Sequence, residues 1–379
     1  MKRPVKGPPR LSDRQRLQWL RLIRTDNVGP ATFRDLINRF GSAETALEML
    51  PELAVRGGSA RRLRIPDEAE AEAEMAAAAK AGAALVAIGE AEYPKLLAHM
   101  DNPPPLVTMM GEPGVFDLPA VAIVGSRNAS AAGARMARNL AAGLGETGHA
   151  VVSGLARGID RAAHEASLAT GTIAVLAGGI DMPYPPENRA LCADIPARGG
   201  ALITEMPLGW EPRAKDFPRR NRLIAGLSLG LVVVEAAKRS GSLISARLAG
   251  EMGRIVFAVP GSPLDPRAAG ANRLLKDGAV MVTELADIID EIAPLTGRSV
   301  PESDHFSEPP DFSATPPPGE EDRDLVVEAL GPVPTTPDEI IRHTGLHPAQ
   351  VFMILLELDL AGRLERHSGG AVSLVAADP

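Results

Sequence analysis

The sequence predicts an α/β protein: a doubly wound, mostly parallel sheet, preceded by a small helical module and followed by a winged helix. Three observations carry this. Six short apolar segments rich in Val, Ile and Leu recur between residues 120 and 261, most of them running into glycine. Helical patterns such as "SAAGARMARNLAAGLGETG" and "GIDRAAHEASLATG" stand between them. A proline-rich, acidic stretch then sets off a last segment that reads as three helices and a hairpin. Near-continuous apolar strands alternating with helices are buried on both faces, which is the signature of a parallel, Rossmann-like sheet.

The elements follow in order. Residues 11–80 read as helices, with Phe33, Leu36, Ile37 and Phe40 at helical spacing between turns at Val28-Gly29-Pro30 and Phe40-Gly41-Ser42. The first turn resembles half of a helix-hairpin-helix, which would offer backbone N–H groups to phosphates; a packing module accounts for the same pattern. An alanine-rich helix turns through Gly82 into a strand at residues 84–88, and Pro103 to Pro105 mark a break. The sheet strands are "AVAIVG", "HAVVSG", "TIAVLAGG", "GALITE", "GLVVVEAA" and "RIVFAVPG". These boundaries divide the chain into a SAM-like or helix-hairpin-helix-like module (1–82), the Rossmann-like domain (83–292), a flexible linker (293–319) and a winged helix (320–379). His347 to Leu360 occupy the recognition-helix position, yet this segment is apolar and lacks basic residues, so a structural or protein-contact role fits it at least as well as DNA reading.

Composition narrows the classes. The 379 residues are 45% hydrophobic and only 3% aromatic, and Cys192 is the single cysteine, which excludes an intrachain disulfide and fits a reducing, cytoplasmic setting. The N-terminal "MKRPVKGPPRLSDRQRLQWL" lacks the apolar core of a signal peptide, and no apolar run is long enough to span a bilayer. The net charge is −8, but residues 120–263 carry 16 Lys/Arg against 11 Asp/Glu. A basic middle in an acidic chain suits a polyanion, although scattered solvated charge explains it equally well.

In doubly wound sheets ligands bind beyond the carboxyl ends of the strands. There the sequence places Gly125, Ser126 and Arg127 after the first strand, and Ser153, Gly154 and Arg157 after the second. Lys238, Ser240, Gly241 and Ser242 follow the fifth, which is preceded by the block Arg219, Arg220, Asn221 and Arg222. Glycine allows close backbone approach, a helix start aims N–H groups at an anion, and arginine supplies a forked donor. Each piece alone is generic; together they form a row of phosphate cradles wider than one nucleotide requires, which suggests a single strand of nucleic acid. Phe217 and Tyr184 are the nearest aromatics for base stacking, and rim packing would account for either.

Catalytic signatures are lacking. The chain has no complete G-x-G-x-x-G after the first strand, no P-loop, no G-x-S-x-G elbow and no metal-ligand cluster. His149 and His164 read as structural, and Asp160, Asp181, Glu187, Glu205 and Glu235 have sufficient work as caps and arginine partners. Neither an enzymatic role nor a cofactor or metal is expected.

The stretches "VAIVGSRNAS", "SGLARGIDRAAHEASL", "LAGGIDMPYPPENRAL", "TEMPLG", "FPRRNRLIAGLS", "VVVEAAKRSGSLISARLAGEMGRIVFAVPGSP" and "GANRLLKDGA" resemble the DNA-processing protein A (DprA, or Smf) family of bacteria, over residues 90–292. That resemblance implies a non-catalytic protein that dimerises through its Rossmann-like domain and binds single-stranded DNA without sequence preference. It further implies loading of a RecA-type recombinase during natural transformation. Arg127 would be the main phosphate ligand. The alternative is a nucleotide-processing enzyme of the phosphoribohydrolase type, but Gly178-Gly179 is followed by Ile180-Asp181-Met182 rather than that group's P-G-G-x-G-T-x-x-E signature. A winged-helix transcription factor would need a basic recognition helix.

Overall fold

The computed structural model describes residues 10–59, 61–296 and 317–375, so the expected linker lies largely outside the described residues. Helices α1 (Asp13–Ile23), α2 (Pro30–Phe40), α3 (Ala43–Arg56) and α4 (Glu68–Lys80) come first, then β1 (Ala83–Ala87), α5 (Lys95–Ala98) and β2 (Leu106–Gly111). The alternating run that follows is β3 (Ala120–Gly125), α6 (Ala131–Glu146), β4 (Ala150–Ser153), α7 (Ile159–Ser167), β5 (Thr172–Val175), α8 (Arg189–Ala197) and β6 (Ala201–Thr204). It continues with α9 (Asp216–Gly226), β7 (Gly230–Val234), α10 (Gly241–Glu251), β8 (Ile255–Ala258), α11 (Ala269–Lys276), β9 (Val280–Met281) and α12 (Ala286–Ile292). The last segment holds α13 (Glu320–Ala329), α14 (Pro337–Thr344), α15 (Pro348–Leu360), β10 (Leu364–Arg366) and β11 (Val372–Leu374).

The described chain forms two compact units, one from residues 74–296 and the other from 11–73 with 317–375. In the first, nine strands make one sheet in the order β1-β2-β6-β5-β4-β3-β7-β8-β9. Strands β3 to β9 pair in parallel, while β2 runs antiparallel to both β1 and β6. All six strands read from the apolar segments are present. The two missed are β2, whose first four residues are buried without alternation, and the two-residue β9; neither carries a period-2 signal.

On one face of the sheet, α6 presents Ala137, Leu140, Ala141 and Leu144 at helical spacing to Val121, Ile123, Val151 and Val232. On the other, Leu191, Cys192 and Ile195 of α8 pack with Leu155, Ala174 and Leu202. Burial pushes the Cys192 thiol up to about 11, which keeps it an inert core residue. Successive strands add to the sheet in one direction from β3 through β4 and β5 to β6, and in the other from β3 to β7 and β8. The order therefore reverses between β3 and β7, where such sheets open a crevice.

In the second unit, α13 to α15 and the β10–β11 hairpin form the winged helix, its turn at Gly369-Gly370. The segment in the recognition position is enclosed. Val351, Ile354, Leu355 and Leu358 of α15 pack on Val326, Leu330 and Ile340, and its opposite side meets the N-terminal helices. A side chain on Gly57 would run into the Glu357 carbonyl group. Thr32 Oγ1 donates to Asp359 at 2.7 Å, Asn27 Nδ2 to the Leu360 carbonyl at 2.9 Å, and Arg366 bridges Asp35 and Asp359. The fully buried Glu357 is held by Arg323 through two bonds of 2.7 and 3.0 Å. The apolar character of residues 347–360 is thus explained by packing on both sides.

Candidate functional site

The carboxyl edge of the parallel strands gathers most of the expected residues. Gly125 ends β3 against Val234 of β7, so close that an added Cβ would meet the Val234 carbonyl oxygen. The loop after it exposes Arg127 and turns back on itself through the Asn128 N–H, which donates to Ser126 Oγ at 3.2 Å. Gly158, at φ 76°, lies against the Ser126 carbonyl oxygen and brings the loop after β4 alongside. Arg157 is exposed in that loop, 3.7 Å from the half-exposed Glu187.

A shallow recess with room for ≈ 20 Å³ lies between these loops, lined by Arg127, Gly154, Arg157, Tyr184, Phe217 and Arg220. Only a water-sized group fits wholly within it, so a larger ligand would extend from it across the edge. The Phe217 ring forms its floor. The guanidinium carbons of Arg127 and Arg220 sit 5.2 and 5.8 Å from the ring centroid, and Tyr184 meets it edge-on at 5.6 Å. Cation–π contacts orient a guanidinium without using up its N–H donors, so Arg127 keeps them for an anion.

The block Arg219 to Arg222 does not act as one patch. It lies on α9, whose turn sends Phe217, Arg220 and Asn221 one way and Arg219 with Arg222 another. Arg219 Nε bonds Glu205 at 2.6 Å, and Arg222 bonds the other oxygen of the same buried carboxylate while its second nitrogen donates to the Asn102 carbonyl at 3.0 Å. Arg220 is buried, donating to the carbonyl groups of Gly154 and Val175. Burial draws its pKa down to about 10, with the Asp160 charge opposing, so it stays cationic at neutral pH. Its Nε has no hydrogen-bond partner. Asn221 Nδ2 reaches the Gly241 carbonyl at 3.4 Å.

Two further expectations are corrected. The Ser153 hydroxyl is fully buried and donates to the Ile123 carbonyl at 2.6 Å, so it ties β4 to β3 and offers nothing to a ligand. The Ser240 and Ser242 hydroxyls are 2.7 Å apart, with Ser240 capping α10 and Ser242 buried; the exposed residues of that turn include Lys238, Arg239 and Gly241. The reading of the carboxylates as caps and arginine partners holds for Glu187, Glu205 and Glu235, whereas Asp160 and Asp181 accept from loop N–H groups, those of Gly154 and Gly209.

Sequence reasoning missed what shapes the second loop. Leu155 adopts φ 57°, uncommon for a non-glycine residue. Its N–H donates to His164 Nε2 at 3.3 Å and its carbonyl accepts from Asn188 Nδ2 at 2.8 Å, while Asp160 accepts from the Gly154 and Ala156 N–H groups. Burial, reinforced by the Arg220 charge, lowers the His164 pKa to about 3, so the ring is neutral. The i, i+4 spacing of Asp160 and His164 behind the glycine turn was the available signal. Also unanticipated is Trp210, whose indole N–H donates to Asp216 at 2.9 Å beneath the Arg213 guanidinium. Among the described residues, no group of three or more His, Cys, Asp or Glu could hold a metal ion, and no helix is long and apolar enough to cross a membrane.

Comparison with known proteins agrees with this architecture. The family model for DNA recombination-mediator protein A matches residues 84–293, a DprA-like N-terminal HHH domain matches 13–77, and the DprA winged helix domain matches 308–370. Protein Smf of Escherichia coli is 40% identical over 287 residues, 74% of each chain. The X-ray structure of DNA processing protein A from Streptococcus pneumoniae superposes with TM-score 0.57 at 34% identity, covering 74% of this chain and 93% of that one. A solved structure of DNA processing protein A from Helicobacter pylori, described for its unique single-stranded DNA binding mode, gives TM-score 0.51 at 28% identity over 56% of this chain and 96% of that one.

Proposed function

This chain belongs to the DNA recombination-mediator protein A family, and on that premise we propose that it binds single-stranded DNA along the carboxyl edge of its sheet, without sequence preference and without catalysis. The observation that carries the reading is the pair of exposed guanidinium groups, Arg127 and Arg157, on adjacent loops around one recess, with Arg127 over the Phe217 ring. Phosphates and stacked bases are the two features every single strand offers. The recess is open and too small to enclose a nucleotide, so a strand would lie across it with phosphates at Arg127 and Arg157 and a base edge toward Phe217 and Tyr184. Lys238 extends the cationic edge, and Arg220 adds charge from below. The Helicobacter relative's single-strand binding supports this assignment.

The same proposal includes a homodimer formed through the Rossmann-like domain, a cytoplasmic location, and delivery of the bound strand to a RecA-type recombinase during natural transformation. The last step is tested by whether the protein lets a recombinase displace a single-strand-binding protein. Non-catalytic action is supported by the engagement of His164 and Asp160 in holding backbone.

Binding is tested by anisotropy titration of labelled single- and double-stranded oligonucleotides at two salt concentrations. Log affinity for single strands should fall with log salt by about 0.7 per phosphate neutralised. Arg127→Ala should weaken all sequences alike and make that slope shallower; unchanged affinity in Arg127→Ala would overturn the assignment.

A further inference from the structure

At the point where the strand order reverses, the start of α6 faces the end of β7, and there doubly wound proteins commonly seat a ligand phosphate on the helix N-terminus. In this protein a side chain is already there. The Glu235 carboxylate accepts from the Ser130 N–H at 2.9 Å and from the Ser130 hydroxyl. Ser130 is the N-cap of α6, and its Oγ in turn accepts from the Gly133 N–H at 2.9 Å. A Cβ added at position 133 would meet the Glu235 carboxyl group, so the carboxylate sits in the space that this glycine leaves open. Glu235 itself adopts φ 57°, a conformation that costs a non-glycine residue energy and persists only when its surroundings impose it. A strained glutamate, a serine cap and a glycine-hollowed helix start thus enclose one carboxylate.

We infer that Glu235 is a built-in anion that fills the switch-point phosphate position, excludes phosphate and mononucleotides from it, and pins the 126–130 loop so that Arg127 faces the open edge. The second half rests on the proposed binding of single-stranded DNA; the first stands without it. A free mononucleotide would need this helix start for its phosphate, whereas a strand lying along the edge does not. Glu235 thereby separates polymer binding from nucleotide binding. It is a positioning residue, since it acts through Ser130 and the loop.

The test uses the full chain. In an Arg127→Ala background, which removes the other exposed anion ligand of the first loop, thermal melting is followed against inorganic phosphate at constant ionic strength, with and without Glu235→Ala. Phosphate should raise the melting temperature only when Glu235 is also replaced; equal responses overturn the exclusion role. Separately, with Arg127 intact, Glu235→Ala should weaken single-strand binding about tenfold, a loss equal to one charge-assisted hydrogen bond. Glu235→Gln, which keeps the shape and one acceptor, should recover part of it, and Glu235→Gly, which empties the position and suits its φ of 57°, carries both measurements if Glu235→Ala does not fold. Full affinity in both variants overturns the positioning role. If the wild type fails to bind single strands, the proposed function falls while the phosphate arm still decides the exclusion role.

Discussion

Acid should loosen the first unit through one residue, His164. Thr172 donates its hydroxyl proton to the Val151 carbonyl at 3.1 Å, so at 2.7 Å it accepts from His164 Nδ1–H, which leaves Nε2 as the acceptor for the Leu155 N–H. This network assigns the neutral tautomer. A second ring proton would point at an N–H donor, in a fully buried site beside the Arg220 cation. The folded pKa of about 3 lies below the ordinary 6.5. Between those values the unfolded chain binds a proton that the folded chain refuses, so stability is full above pH 6.5 and falls as pH drops toward 3. The slope for one proton is about 1.4 kcal/mol per pH unit, so about 2 kcal/mol should be lost between pH 6.5 and 5. Asp160, whose pKa burial raises, contributes with the opposite sign; comparison with His164→Gln cancels it. Urea unfolding of the first unit can be followed by Trp210 fluorescence in a Trp19→Phe chain, since Trp19 packs on Phe33 in the other unit. His164→Gln should be the less stable at neutral pH, and the gap should narrow by about 2 kcal/mol by pH 5. A gap that stays constant would refute the buried neutral imidazole.

Other expectations follow from the same geometry. Phe217→Ala removes the floor beneath Arg127 and should cost single-strand affinity about 1–3 kcal/mol in anisotropy titrations without changing the salt slope; an altered slope with unchanged affinity at low salt would contradict a stacking role. Arg222→Ala takes one partner from the buried Glu205 and should lower unfolding free energy by about 1–3 kcal/mol, leaving the salt slope of binding as it was, whereas a loss of slope without loss of stability would make Arg222 a phosphate ligand. Arg323→Ala strands the fully buried Glu357 and should destabilise the second unit by about 3–5 kcal/mol. Trp19 fluorescence in a Trp210→Phe chain would report it, and a shift below 1 kcal/mol would mean that the pair is not shielded from water.

Several features of the site were legible in the chain because they are local. The apolar runs and their glycines specify the strands, and strands that alternate with helices must be parallel, so Arg127 and Arg157 could be assigned to one edge. The phosphate role of Ser153 was misread because its hydroxyl is satisfied by Ile123, 30 residues away. The four-residue basic block was read as one patch because helical phase was not applied to it: Phe217, Arg220 and Asn221 share a face, and Arg219 and Arg222 turn to Glu205. Trp210 went unnoticed because nothing in its neighbours marks a tryptophan as surface or core.

The sequence by itself determined the alternation of strand and helix, the positions of the glycine turns and hence the edge at which cations collect, since each depends on backbone preferences and the burial of nearby residues. Only the tertiary structure decided which arginines are free and which are consumed, that Glu235 occupies the α6 start, and that α15 is covered by the N-terminal helices. Each of those outcomes depends on a partner that the chain brings in from elsewhere: Glu235 lies 105 residues from Ser130, and Asp359 lies 327 from Thr32. Charge pairing and close packing act over a few ångströms of space, and no pattern of neighbours along the chain records which groups will come within that distance.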